Sequence, residues 1–296
     1  MAVETNGMSG RARLRWTVLL VAGALLLSKS AVAQQRLVGG SGLVPHGDLF
    51  APLLADPHEP GFFATYLVAR SPRLAPRIGS VGFGRTIGLV FSHTGRWQLA
   101  VAAGVFSQFD MASTTNHLMN TDYIVGVPIS YRRGARSARV RLYHQSSHLG
   151  EEFLDGGAVR RQLLSFEAVE VLLADELSNW RLYGGGEYRF QRAPRDMKPA
   201  VVHAGVEYRR PEPLVHLGRF GEGRFVVALD GKSFEDREWQ VGWSLKTGLA
   251  FSSPTGVDGG GPHWSVMVAT YNGPTPYGQF YRENLSSVGL GVALDL

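Results

Sequence analysis

From Phe62 to the last residue the chain alternates apolar and polar residues, and turn-forming clusters interrupt it about every 20 residues. About twelve segments result, near 62–70, 81–92, 96–109, 121–132, 138–153, 160–176, 180–191, 200–210, 223–232, 238–251, 263–272 and 286–296. In 239–251 one face is Trp239, Val241, Trp243, Leu245, Thr247, Leu249 and Phe251, and the other is Gln240, Gly242, Ser244, Lys246, Gly248 and Ala250. A period of two is the signature of a strand. The segments run to about 10–14 residues, longer than the ~5–6 of ordinary strands. Past the first residues no stretch of ~18 apolar residues occurs, so no helix is expected to cross a bilayer. A membrane protein built from such segments must close into a barrel, because only closure pairs every backbone group in lipid. The expected fold is all-β, an antiparallel transmembrane β-barrel of about twelve strands. A soluble β-barrel or sandwich is the alternative, since alternation alone does not say which face meets lipid. Two features favour lipid: Trp97, Trp180, Trp239 and Trp264 sit at segment ends, and Val288, Leu290, Val292, Leu294 and Leu296 share a face of the last strand.

The start of the chain reads as an address. Arg11, Arg13 and Arg15 precede the apolar run Thr17–Leu27, and Ala31-Val32-Ala33 supplies small residues for cleavage after Ala33. Residues 1–33 are expected to be a signal peptide; the alternative is a short membrane anchor. Residues 34–60 are rich in Gly and Pro and read as a periplasmic N-terminal arm, and 61–296 as the barrel of a bacterial outer membrane. Arg11, Arg13, Arg15 and Lys29 against Glu4 take +3 of the chain's +5, leaving about +2 for the mature part. That balance gives no reason to expect nucleic acid. With no cysteine, disulfides and thiolate chemistry are excluded. With an N-terminus in the periplasm, the turns at 93–96, 133–137 and 177–179 share that side and 110–120 and 272–285 lie outside. The stretch 210–222 is a long connection on the periplasmic side, and nothing in the pattern accounts for it.

One constellation could carry chemistry. On strand five, Arg139, Arg141, Tyr143 and Gln145 share the charged face, which marks the lumen, and Val140 and Leu142 the lipid face. His144, Ser146 and His148 continue the lipid face, where polar groups are costly unless interfacial or functional. Asp155-Gly156-Gly157-Ala158 reads as a two-residue hairpin turn. That turn sets Ser146 opposite Glu167 and His144 opposite Val169. A Ser, a His and a carboxylate on one wall are the minimum for acyl transfer: Ser146 as nucleophile, His144 as base, Glu167 as orienter. Polar residues that merely hold an interfacial hairpin are the plainer alternative. Glu151, Glu152 and Asp155 are candidate Ca²⁺ ligands, against a solvated acidic loop. Arg139, Arg141, Arg181, Arg189 and Glu187 are expected to pair across a filled lumen, and whether 34–60 plugs it is open.

His144-Gln145-Ser146 resembles the His-Gln-Ser segment of outer-membrane phospholipase A, a twelve-stranded barrel with its catalytic pair on the lipid-facing wall. That family has Asn after the Ser, where Ser147 stands here, and an Asn as third member, where this chain offers Glu167. Its use of calcium is what the resemblance implies for the acidic residues. Lipid A deacylases also use a His-x-Ser pair with a Glu, at a different spacing. Asp48-Leu-Phe-Ala-Pro-Leu-Leu-Ala-Asp-Pro57 and Tyr143-His-Gln-Ser-Ser-His-Leu-Gly-Glu-Glu152 together resemble the bacterial family labelled domain of unknown function 1207, which implies no activity. The expected partners are outer-membrane lipids, and the barrel-assembly machinery through the terminal strand. The expected role is a lipid acyl-ester hydrolase, with a structural barrel or small pore as the alternative.

Overall fold

In a computed structural model, residues 47–155, 163–218, 221–252 and 263–295 are described. The expectations for the signal peptide, for residues 34–46 and for the Gly156-Gly157 turn lie outside them. Twelve long antiparallel strands form the wall: β1 Phe62–Arg70, β2 Arg77–Phe91, β3 Trp97–Asp110, β4 Leu118–Arg133, β5 Arg136–Leu149, β6 Leu164–Leu177, β7 Trp180–Ala193, β8 Ala200–Arg209, β10 Glu222–Phe234, β11 Gln240–Ser252, β12 His263–Pro274 and β13 Asn284–Asp295. A two-residue β9, Val215–His216, folds back on Glu222 and Gly223. It accounts for the long connection 210–222, which is a small hairpin appended to β10. Each long strand pairs with its neighbours in sequence, and β1 pairs with β13 from Phe62↔Leu294 to Arg70↔Ser286. The sheet is therefore closed and keeps no free edge along that seam. One end carries Gly47, the finish of β13 and the short turns after β2, β4 and β6. The opposite, distal end carries the loops after β1, β3, β5, β7, β10 and β12.

The outer face is apolar. Phe83, Val125, Leu142, Leu173, Leu290 and Val292 are all exposed on it, and the lumen face takes the polar residues. This inversion of a soluble barrel is what a wall meeting lipid requires. Trp97 lies against Tyr131, Trp180 against Tyr208 and Phe251 against Trp264, with ring centroids 4.6, 4.8 and 4.0 Å apart at the end that carries Gly47. They form an aromatic rim there. Arg85 breaks the pattern. It is exposed between Phe83 and Ile87 in the middle of the 15-residue β2. Among the described residues no hydrogen bond or ion pair reaches it.

The lumen is filled from both ends. From the Gly47 end the arm 47–61 runs inside the barrel and continues directly into β1. Its apolar side, Phe50 and Leu53, packs on Leu172, Ala174 and Tyr183. The guanidinium groups of Arg139 and Arg181 each sit 4.8 Å from the Phe50 ring centre, a cation–π arrangement. Its polar side is tied to the wall. Glu59 takes a two-pronged ion pair from Arg139 at 2.6 and 3.0 Å. Lys232 donates to both oxygens of Asp56 at 2.9 Å. Glu207 accepts the Leu54 N–H at 2.8 Å. Where Pro60 passes the wall, a Cβ on Gly84 would lie 3.2 Å from the Pro60 Cα, so glycine is needed for the close approach.

From the distal end the loop 275–283 folds down into the mouth. Asp122 accepts from the Gly278 N–H at 3.1 Å and lies 3.2 Å from His58 Nε2, so a single buried carboxylate joins wall, arm and loop. Phe280 packs on Leu74, Met119 and Leu149. The lumen charges expected from the sequence pair as foreseen. Arg139 and Arg141 share Glu170, Arg181 meets Glu207, and Arg189 meets Glu187. Among the described residues a cavity of about 70 Å³ lies inside, bounded by Asp56, Arg141, Tyr143, Lys232 and Tyr281.

Candidate active site on the outer wall

Alternation on β5 sets the site. Arg139, Arg141, Tyr143 and Gln145 are buried in the lumen, and Val140 and Leu142 are exposed outside. His144 and Ser146 keep the parity of Leu142 and face out, each half-buried, with His148 exposed beyond them. Two residues apart on one face, the His144 and Ser146 backbones stand ~6.6 Å apart. On the adjacent β6, Glu167 is directly opposite His144 and Ser165 directly opposite Ser146. Nδ1 of His144 lies 3.0 Å from Oε1 of Glu167. A carboxylate at Nδ1 favours the tautomer with the proton there and leaves the lone pair on Nε2. The side chains are 40 % and 35 % exposed, enough for a substrate to reach the ring from the membrane side.

The wall behind the site is rigid. Ser147, one residue on, points into the lumen and donates to Asn120 at 2.9 Å. Asn120 donates to Gln108 at 2.8 Å and accepts from the Gln279 N–H at 3.1 Å. Gln279 in turn donates to the Ser147 carbonyl at 2.7 Å. These groups are buried and mutually satisfied, which fixes the strand that carries Ser146. On the outside, Tyr123 of β4 is opposite Ser146 and its ring lies edge-on to His148 at 5.7 Å.

All three candidate catalytic residues therefore share the outer wall, with one correction. The expected turn set Ser146 opposite Glu167 and His144 opposite Val169, whereas each pairs with the residue two positions earlier on β6, Ser165 and Glu167. The cause is local. β5 runs only to Leu149, and a short helix α1, Glu151–Asp155, follows, so residues 150–153, read as strand, are not strand. The shift keeps every residue on its face, because a slip of two preserves parity. It moves the carboxylate from opposite Ser146 to opposite His144. Glu151 and Glu152 stand exposed in the first turn of α1. The side chain of Asp155 lies outside the described residues, and among those no group of three metal-ligating side chains assembles. The described residues do not make a calcium cage.

The polar network behind the wall and the arm ties escaped the sequence reading. Asp122, Asn120 and Gln108 carry no motif, and only the lumen parity of β3 and β4 marks them as interior.

A family model described as "Protein of unknown function (DUF1207)" matches residues 20–295, which includes both stretches that carried the resemblance. No curated protein matches by sequence. Among solved structures, outer membrane phospholipase A from Escherichia coli superimposes with a TM-score of 0.58 at 14% identity, covering 84% of this chain and 94% of that one. The Salmonella typhi outer membrane phospholipase, solved as a dimer with bound calcium, gives 0.54 at 14% identity, covering 78% and 90%. The likeness is one of fold: a closed twelve-stranded barrel of the bacterial outer-membrane type.

Proposed function

The chain belongs to the DUF1207 family, and from the outer wall of its barrel we propose that it is a serine hydrolase of acyl ester bonds in outer-membrane lipids. The observation that carries this reading is the His144–Glu167 pair at 3.0 Å beside Ser146, on the side of the barrel where only lipid is met. Three polar residues in register with Leu142 and Val140 cost stability there, and a catalytic task explains their retention. Similarity of fold to phospholipases agrees with the reading, and so does the matching His-Gln-Ser segment.

The chemistry follows from the geometry. Ser146 Oγ attacks the ester carbonyl carbon while His144 Nε2 accepts its proton. Glu167 holds the ring and stabilises the imidazolium. The tetrahedral adduct collapses, and the departing alcohol of the lysolipid takes the proton back from His144. Water, deprotonated by the same nitrogen, then cleaves the acyl-serine and releases the fatty acid. The site lies toward the distal end of β5, where acyl chains arrive laterally and water from above. Insertion places the protein in the outer membrane, with β13 read by the assembly machinery.

The test is fatty-acid release from detergent-dispersed phospholipid and lipid A, with and without Ca²⁺. Ser146→Ala and His144→Ala are expected to abolish release while heat-modifiable migration, the sign of a folded barrel, persists. Wild-type protein that releases no fatty acid from either lipid in either condition overturns the proposal. A pore is the less supported reading, because the arm and the 275–283 loop both occupy the lumen.

A further inference from the structure

The β6–β7 pairing is irregular at one place, and that place adjoins the site. From Leu177↔Trp180 to Ala168↔Arg189 the register is unbroken, and the next pair is Glu167↔Gln191. Phe190 is skipped, so the extra residue of a β-bulge lies there. Continued without the bulge, the register would set Phe190 beside Glu167. The bulge replaces that phenyl neighbour with a carboxamide. Bulges recur beside active sites because they re-aim one side chain.

Gln191 is exposed on the wall and makes no side-chain hydrogen bond among the described residues. Glu167 uses Oε1 toward His144. Its other oxygen accepts no hydrogen bond among the described residues. Cross-strand neighbours have Cβ atoms ~4.5–5.5 Å apart, within reach of a carboxamide. His144, Glu167 and Gln191 thus occupy consecutive strands in one hydrogen-bonded row.

Resting on the reading of this wall as a hydrolase site, we propose that Gln191 is a positioning residue: on rotation of its exposed side chain, the amide N–H donates to Oε2 of Glu167 and keeps Oε1 on Nδ1 of His144. The carboxylate is otherwise anchored at one oxygen on a half-exposed side chain and free to rotate. Held at both oxygens, it fixes the ring tautomer that leaves Nε2 able to accept the serine proton. Gln191 touches no substrate and acts through Glu167.

The test uses the full-length barrel in detergent micelles. Gln191→Leu is expected to lower kcat roughly tenfold with KM unchanged, and Gln191→Asn to recover part of the loss. Nitrogen-15 spectra of the histidine rings, with His144 assigned through His144→Ala, report the tautomer without turnover. The wild type is expected to hold the proton at Nδ1, and Gln191→Leu to show the two tautomers mixed. A Gln191→Leu barrel with wild-type tautomer overturns the proposal, whatever its kcat. If the wild-type barrel proves inactive while the tautomer still responds to Gln191→Leu, the positioning stands and the hydrolase reading falls. Gln191→Leu is on the surface, and heat-modifiable migration checks its folding.

Discussion

Glu167 sits across the β5–β6 pair from His144, and Oε1 of its carboxylate lies 3.0 Å from Nδ1 of the imidazole. The carboxylate is therefore opposite His144, and Ser146 is opposite Ser165. Glu167→Gln keeps the size and removes the charge that stabilises the imidazolium. It is expected to lower kcat by about 10²-fold, less than the loss for Ser146→Ala. Initial rates of fatty-acid release across substrate concentrations separate kcat from KM, and equal KM values are expected.

The arm is expected to stay in place under mild acid. Burial alone would raise the carboxyl of Asp56, but Lys232, then His203, and the His58 backbone N–H outweigh it and hold the group well below the usual carboxylate range. A depressed folded-state pKa contributes stability that is whole above the unfolded value, about 4, and declines only as pH falls toward the folded one. Hydrogen-exchange protection of residues 49–59, corrected for intrinsic rates, is therefore expected to match at pH 5 and pH 7. Asp56→Asn strands the Lys232 ammonium and is expected to cost about 3–5 kcal/mol in urea unfolding.

Intact protein in planar bilayers is expected to show no steady open channel, since residues 47–61 and 275–283 occupy the lumen from opposite ends. Asp56→Asn combined with Glu59→Gln removes two of the ion pairs that fasten the arm and is expected to produce transient openings as the loosened arm shifts within the lumen. Steady conductance from the wild type would sink this expectation.

Arg85 offers a stabilising substitution. An unpaired arginine at the middle of a lipid-facing strand costs about 2–4 kcal/mol. Arg85→Leu is expected to return that amount, read as a higher urea midpoint for unfolding from lipid vesicles. An unchanged or lower midpoint would mean that Arg85 has a partner in the membrane.

Much of this was legible in the chain. All twelve segments located by alternation are long strands, because a wall with lipid outside and charges inside imposes the period at every position. The faces of β5 are as read, for the same reason. The β5–β6 register was not legible. The expected one depended on β5 running on past Leu149, and nothing in Gly150-Glu151-Glu152 announces a helical turn. The bulge at Phe190 was equally hidden, since both Phe190 and Gln191 suit a strand. Arg85 was masked by Gly79, Gly82, Gly84 and Gly88, which blur the alternation of β2. The lumen ties of Asp56, His58 and Glu59 depend on partners some 60 to 180 positions away, and local pattern carries no information about them.

Because β1 begins at Phe62, immediately after Pro60 leaves the interior, the seam with β13 has consequences for the order of assembly. The covalent link between arm and first strand is too short for the arm to enter once the seam has shut. The arm must already lie among β3, β5, β8 and β10 when Leu294 zips to Phe62. Closing the ring then traps its own filling, much as a cooper's last stave seals a cask that was packed beforehand.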